Sequence, residues 1–450
     1  MSALVKTVVQ NAFFFFSSQI WDGIAGMLIV AILARYLGVE GFGSYAVVFS
    51  VVNLVVPLTF MGIQEVGIRE IAGKSSDRDK GLYLGSLLQA RLILLALAAL
   101  IIGIVLLVMA PEQKIIYSVA IFFFAIVVGS SGELVTSSFI AAEKFQYNLF
   151  VLVIERLSLL SLILFVALLD LGFYAIFLSY VISKVLKTYF AFYFLRRYFY
   201  IIHFSFNQEW IKKIMSESYL IGLGISTGLG FQHAIVILLK QFIGLEAAGI
   251  FSAYYNLVAR CQLLSTSLSK SLMPRISIEA QRNTLAYARL TNRGILLLFA
   301  AGSLLTAIFW PFKALLIKIF YGASFLRDID GFGYLLLLLP FLFVDNILNV
   351  AIISKRLAKP FFLAKILGFL AGIILVLILI KEHGLYAAIY GITLGKLIST
   401  LIMFLLLRKG SSTVSAQCSS ETRDFTPAPK QAFLRGNKVR SKVEDGNDLS

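Results

Sequence analysis

The chain has 450 residues, of which 59% are hydrophobic and 14% charged, with 40 Lys/Arg against 24 Asp/Glu. A soluble globular domain is about a quarter charged, so this composition excludes a soluble enzyme and points to a polytopic membrane protein. The net charge of +16 asks for no nucleic-acid partner: basic loops between apolar stretches orient a membrane protein and meet lipid headgroups.

A bilayer core takes roughly 20 apolar residues per helix. Taken in order, the sequence predicts spans at 12–36, 42–65, 83–109, 115–141, 148–169, 173–195, 218–242, 248–272, 293–312, 332–353, 361–380 and 385–407. The run after Ala12 lacks the basic flank and cleavage site of a signal peptide and reads as a retained first span. Short, charge-poor corners follow the odd spans, at 38–41, 110–114, 169–173, 244–248 and 381–384; the longest odd loop is 311–331. Basic loops follow the even spans, carrying among others Lys74, Arg78, Arg196, Lys212, Arg275 and Lys355. By the positive-inside rule both termini are expected in the cytoplasm.

The chain repeats itself at half its length. Gly38, Glu40, Gly43 and Arg69 fall opposite Gly244, Glu246, Gly249 and Arg275, all at one offset of 206. Farther on, Gly172, Lys184 and Thr188 fall opposite Gly384, Lys396 and Thr400 at an offset of 212. Six spans return each half to its starting side, so the repeat is parallel and implies a pseudo-twofold axis along the membrane normal. The predicted architecture is an all-α polytopic membrane protein of about twelve transmembrane helices in two six-helix bundles. The bundles are expected at 1–202 and 217–410, joined by an amphipathic linker at 203–216 and followed by a disordered cytoplasmic tail at 411–450.

The first corner, Ala34-Arg35-Tyr36-Leu37-Gly38-Val39-Glu40-Gly41-Phe42-Gly43-Ser44-Tyr45, with Arg69 after the second span, resembles the polysaccharide transporters. These are oligosaccharide-lipid flippases of the superfamily that also holds the multidrug MATE antiporters and the lipid II flippases. The resemblance covers roughly residues 12–409. It implies a MATE-like fold in the cytoplasmic membrane and transport by alternating access. The implied substrate is an undecaprenyl-pyrophosphate-linked glycan, moved outward for O-antigen or exopolysaccharide assembly beside other polysaccharide-assembly proteins and membrane lipids.

Enzyme signatures are sparse. There is no G-x-x-x-x-G-K-[ST] loop, and His203, His233 and His383 lack metal-ligand spacing. Cys261 and Cys418 form no motif. Asp328 and Asp330 stand as an isolated acidic pair in a loop too short for a catalytic domain. Neither a cofactor nor a metal is expected.

Charge inside a span costs at least ~2.5 kcal/mol on insertion scales and marks a cavity or a partner. Arg260 lies deep in the eighth span and shares one helical face with Asn256 and Ser267. Its planar, permanent charge suits bidentate phosphate binding, so Arg260 and Asn256 are expected to bind substrate, with the repeat mates Lys184 and Lys396. Asp22, Glu133 and Asp345 are candidates for cation coupling; the alternative for Asp22 is a structural pair with Arg260. Arg91, Arg156 and Lys187 are expected to snorkel to the inner interface. Gly222, Gly224, Gly228 and Gly230 in the seventh span permit either close packing or a bend. Two other functions stay open. A cation-coupled drug antiporter would need a carboxylate-dominated cavity. A membrane glycan polymerase or ligase would need a larger extramembrane loop.

Overall fold

Backbone polar groups in a bilayer must be satisfied within the segment, and a helix does this. The computed structural model describes residues 3–59, 63–74, 76–204, 208–282, 284–355 and 357–421. Among them every regular element is helical: α1 (Ala3–Val55), α2 (Ile63–Ala72), α3 (Asp77–Met109), α4 (Gln113–Ala141), α5 (Phe145–Leu168), α6 (Phe173–Tyr198), α7 (Gln208–Phe242), α8 (Leu245–Arg282), α9 (Thr284–Phe309), the short α10 (Lys313–Phe320) and α11 (Ile329–Leu336), α12 (Leu339–Ser354), α13 (Ala358–His383) and α14 (Leu385–Glu421). One compact unit spans Met1–Leu406 and contains both halves of the repeat. The expected linker overlaps α7, which begins at Gln208, and α14 ends at Glu421; residues 422–450 of the expected tail lie outside the described residues.

Ten of the described helical segments are long and apolar enough to cross a membrane. Their outward faces are unpartnered hydrocarbon, as at Leu100, Leu107 and Val108 on α3 and Leu296 and Leu297 on α9. The segments differ in how far they are buried in protein. In the most apolar window, 22% is buried for α3 and for α9, but 72% for Phe13–Thr59 and for Ile329–Ser354. Helices α1 and α12 are therefore central, and α3 and α9 face lipid. Helix α8 is not among the ten; Asn256, Arg260, Gln262, Ser265 and Ser267 interrupt its apolar run.

Gly38 breaks α1 with φ 67° and ψ −175°, a conformation that side-chain-bearing residues rarely adopt. The break sends the chain back along itself. On the first arm, Gly26 faces Arg260 and Gly23 faces Leu263; on the second, Ser50 meets His233 and Leu54 lies against Gly230. Gly244, Gly172 and Gly384 also have positive φ, so all four repeat-matched corner glycines share that geometry.

Two of the repeat mates touch. A Cβ on Gly43 would collide with the carbonyl oxygen of Leu245, and one on Gly249 with that of Val39, while lying 3.0 Å from the Gly43 nitrogen. Here glycine is required for backbone-to-backbone contact between α1 and α8. Over this contact lies the segment after α10. Phe42, Tyr321 and Phe325 are all buried, with ring centroids 5.7–6.2 Å apart. The segment and the end of α10 are tied to both helices: Arg35 donates to the Ile319 carbonyl of α10, Tyr254 Oη lies 2.8 and 2.7 Å from the Phe325 and Arg327 carbonyl oxygens, which share its one proton, and Arg327 pairs with Glu246 at 2.7 Å.

Of the two readings of the glycines in α7, the structure favours packing. A Cβ on Gly224 would lie 2.6 Å from the Phe361 ring of α13, and one on Gly230 would lie 3.3 Å from Leu54.

Candidate functional site

Beneath the aromatic layer lies a cavity of about 150 Å³ between α1, α5, α6, α7 and α8. Both halves of the repeat contribute to it. Phe42, Tyr45 and Phe49 of α1 and Tyr180 of α6 form an aromatic wall, braced by a hydrogen bond between the Tyr45 and Tyr180 hydroxyls at 2.8 Å and by Phe122 stacked 5.3 Å from Phe49. Opposite stand Ser252, Asn256 and Arg260 of α8, with Gln232 and His233 of α7 between. His233 Nδ1 lies 3.1 Å from the Ser50 hydroxyl and Gln232 Nε2 3.2 Å from His233 Nε2, so these polar groups are held in place. Asp and Glu do not occur among the lining residues; two arginines, Arg156 and Arg260, do.

Arg260 lies against a notch. A Cβ on Gly26 would come within 2.8–3.0 Å of three guanidinium atoms, so the glycine makes room for the charge. Among the described residues no carboxylate lies within ion-pair distance of Arg260. The expected alternative, a pair with Asp22, is not formed: Asp22 Oδ1 accepts from Arg156 Nε at 2.6 Å. This corrects the reading of Arg156 as a snorkelling residue, since it lies in the cavity wall. Its Nε is used by Asp22, and the guanidinium keeps four further N–H donors.

The other predicted residues lie away from the cavity wall. Lys184 sits 2.6 Å from Glu155 Oε1 and Lys187 2.8 Å from Oε2; Glu155 is 1% exposed and Lys187 7%, so Lys187 does not snorkel. Arg91, 2% exposed, donates to the Thr59 carbonyl at 2.6 Å and likewise stays inside, near Glu133 and Gln64 at a small second cavity. In the other half, Asp345 accepts from Lys365 at 2.8 and 3.0 Å and from Asn349 at 3.1 Å. Among the described residues, the hydrogen-bond partner of Lys396 is the Gly228 carbonyl, at 3.4 Å.

Sequence reasoning missed Lys365 as an intramembrane charge, although the criterion that singled out Lys184 applies to it equally. It also missed the role of Glu155 in binding two lysines at once. Ser252, Tyr45 and Tyr180 carry no signal in a single sequence, because serine and tyrosine are ordinary in transmembrane helices.

A helical bundle with ten described segments long and apolar enough to cross a membrane, around a cavity whose lining residues include no Asp or Glu, defines a multi-pass membrane protein. Several solved structures share the fold. An inward-facing MATE-family multidrug transporter superposes with a TM-score of 0.67 at 15% identity, covering 90% of this chain and 99% of that one. The lipid II flippase MurJ in an inward closed conformation gives 0.65 at 15%, covering 93% and 94%, and the eukaryotic MATE transporter AtDTX14 gives 0.65 at 14%, covering 92% and 100%. No curated protein matches the chain. The family model described as "Polysaccharide biosynthesis protein" matches residues 8–278, more than half of the chain, and the chain belongs to that family.

Proposed function

We propose that this protein is a flippase that carries a polyprenyl-diphosphate-linked oligosaccharide across the cytoplasmic membrane for surface polysaccharide assembly. Counting the two arms of α1 separately and adding α8 brings the ten segments to twelve crossings, six per half. The basic loops then face the cytoplasm, and the glycine corners and the aromatic layer face outward. The single observation that carries the reading is Arg260. A permanent cation faces a cavity at membrane depth with no described carboxylate to neutralise it, and such a group is retained for an anionic ligand. Arg156 adds donors from the other half, so a diphosphate bound between them touches both bundles.

The cavity's volume of about 150 Å³ is below the ~300–1,000 Å³ of ordinary ligand sites. The corner contact at Gly43 and Gly249 closes it from outside. The oligosaccharide therefore enters a more open form of the protein, and rocking of the two bundles about the cavity alternates its access. Asp22 is assigned to orienting Arg156, and Asp345 to neutralising Lys365. Glu133, away from the cavity wall, is the carboxylate left to couple transport to a cation.

The competing reading, a cation-coupled drug antiporter, is tested against this one in proteoliposomes. The purified protein should move a short polyprenyl-diphosphate sugar between leaflets and should not move a lipophilic cationic dye down or against a proton gradient. Dye transport without lipid transport would reverse the assignment.

A further inference from the structure

The corner ends of the two halves are built unequally. A short join at 110–114 links the third and fourth predicted spans, whereas the join between the ninth and tenth runs over 311–331. A turn between neighbouring helices needs only about 2–8 residues, so the added length asks for a use. It is folded: α10 is followed by a 3-10 turn, Ala323–Leu326, and by α11, and Lys313 at its start pairs with Asp330 near its end at 2.6 Å. Residues 313–327 form a strap over the place where α1 meets α8.

The contacts of the strap differ in kind on its two sides. Toward α8, in its own half, they are polar and directional. The buried Tyr254 hydroxyl lies 2.8 and 2.7 Å from the Phe325 and Arg327 carbonyl oxygens, and Arg327 pairs with Glu246 at 2.7 Å. The Tyr254 ring also lies 5.4 Å from that of Phe332 in α11. Toward α1, in the other half, the strap rests on rings: Phe42 packs against Tyr321 at 6.2 Å and Phe325 at 5.7 Å. Its described polar tie to α1 is the bond from Arg35 to the Ile319 carbonyl, and Arg35 is exposed. Phe42 also lines the cavity, so one residue is both part of the cavity wall and the seat of the strap.

We infer that residues 313–327 are an outer latch: the strap travels with the second half, and its aromatic seat on Phe42 parts when the cavity opens outward and re-forms when it closes. The inference rests on the flippase reading, in which the two bundles rock about the cavity, and adds which contacts break and which stay. Rigid-body motion keeps contacts within a body and repacks those between bodies. A buried hydrogen bond is expensive to break and leave unmade. Ring faces part without breaking a hydrogen bond, and the exposed Arg35 exchanges a carbonyl for water. Polar ties inside one half with apolar contact across the seam is therefore the division a reversible closure needs.

The test uses the full-length protein in proteoliposomes, with Cys261→Ala and Cys418→Ala, a short polyprenyl-diphosphate sugar as the transported probe and a short, thiol-cleavable bis-maleimide as the cross-linker. Arg35→Cys with Ile319→Cys ties the strap to the first half; Glu246→Cys with Arg327→Cys ties it to α8. All four positions are exposed, so the substitutions leave the core intact. Cross-linking the first pair should remove transport in proportion to the fraction of protein cross-linked, and cleavage should restore it. Cross-linking the second pair should leave the rate as it was. Transport that survives complete cross-linking of the first pair would overturn the latch and leave the flippase reading standing. Loss of transport with the second pair would also overturn it, since the strap would then move against α8. Absence of transport before any cross-linking would overturn the flippase reading. The latch is then read without substrate. Gln232 lines the cavity, and in Gln232→Cys an impermeant maleimide applied on the corner side should label faster when Phe325→Leu is added. Equal labelling rates would overturn the latch whether or not the protein moves lipid.

Discussion

Lys184 and Lys396 occupy the same position in the two halves of the repeat, yet their surroundings are unlike. Lys184 lies 2.6 Å from Glu155, which also holds Lys187, whereas the described hydrogen-bond partner of Lys396 is a backbone carbonyl at 3.4 Å. The second half does contain a buried carboxylate. Asp345 is the repeat mate of Glu133 at the offset of 212, and it is taken up by Lys365, a lysine with no counterpart at Val153 in the first half. The sequence match between the halves therefore extends to the positions of some charges and not to their partnerships. In the first half Lys184, Lys187 and Arg156 each lie within ion-pair distance of a carboxylate, the two lysines sharing Glu155; in the second half Lys396 and Arg260 are left without a described carboxylate within that distance. Of these two, only Arg260 lines the cavity, on its α8 side.

This contrast can be broken by substitution, and the sizes should fall in a fixed order. Glu155→Gln strands two buried lysines at once and should have the largest effect, about 3–5 kcal/mol or more, the range for removing one partner of a buried ion pair. Thermal aggregation in detergent would read it. Asp345→Asn strands Lys365 alone and should cost less, within about 3–5 kcal/mol; the double change Asp345→Leu, Lys365→Met should recover most of the loss, since an apolar pair of similar volume replaces a buried ion pair at little cost. Lys184→Met should be milder still, because Glu155 keeps Lys187. Lys396→Met should change stability least, within about 0.5 kcal/mol, because Asp345 keeps its direct partner Lys365. If Lys184→Met and Lys396→Met were equally destabilising, the two halves would not differ as described.

Much of the architecture is legible in the sequence, for physical reasons. Apolar length fixes most of the spans, and the corner glycines announce themselves because only glycine is at ease with φ 67° and ψ −175° at Gly38 or with φ 128° at Gly244. Helix α8 reads as a span in the sequence and is not among the ten apolar segments, since a wall rich in Asn, Gln, Ser and Arg lowers its apolarity. Charge inside spans points to Arg260 and to Asp345, but pairing is not readable. Asp22 and Arg156 lie 134 residues apart, and nothing in their local sequence says that α1 and α5 meet there. Arg156 reads as a membrane-rim residue because its depth along α5 is compatible with snorkelling; only the position of α5 beside the cavity separates the two. Lys365 shows the opposite failure, a visible signal passed over.

If Arg260 holds the diphosphate, its variants should transport a polyprenyl-diphosphate sugar poorly or not at all in proteoliposomes. Arg260→Lys keeps the charge and loses the two-pronged donor geometry; Arg260→Ala loses both. The rate should fall roughly tenfold or more for lysine and be abolished for alanine, in protein that reconstitutes and melts like the unaltered chain, because Arg260 has no described carboxylate partner to strand. Transport by Arg260→Ala at the unaltered rate would contradict that role.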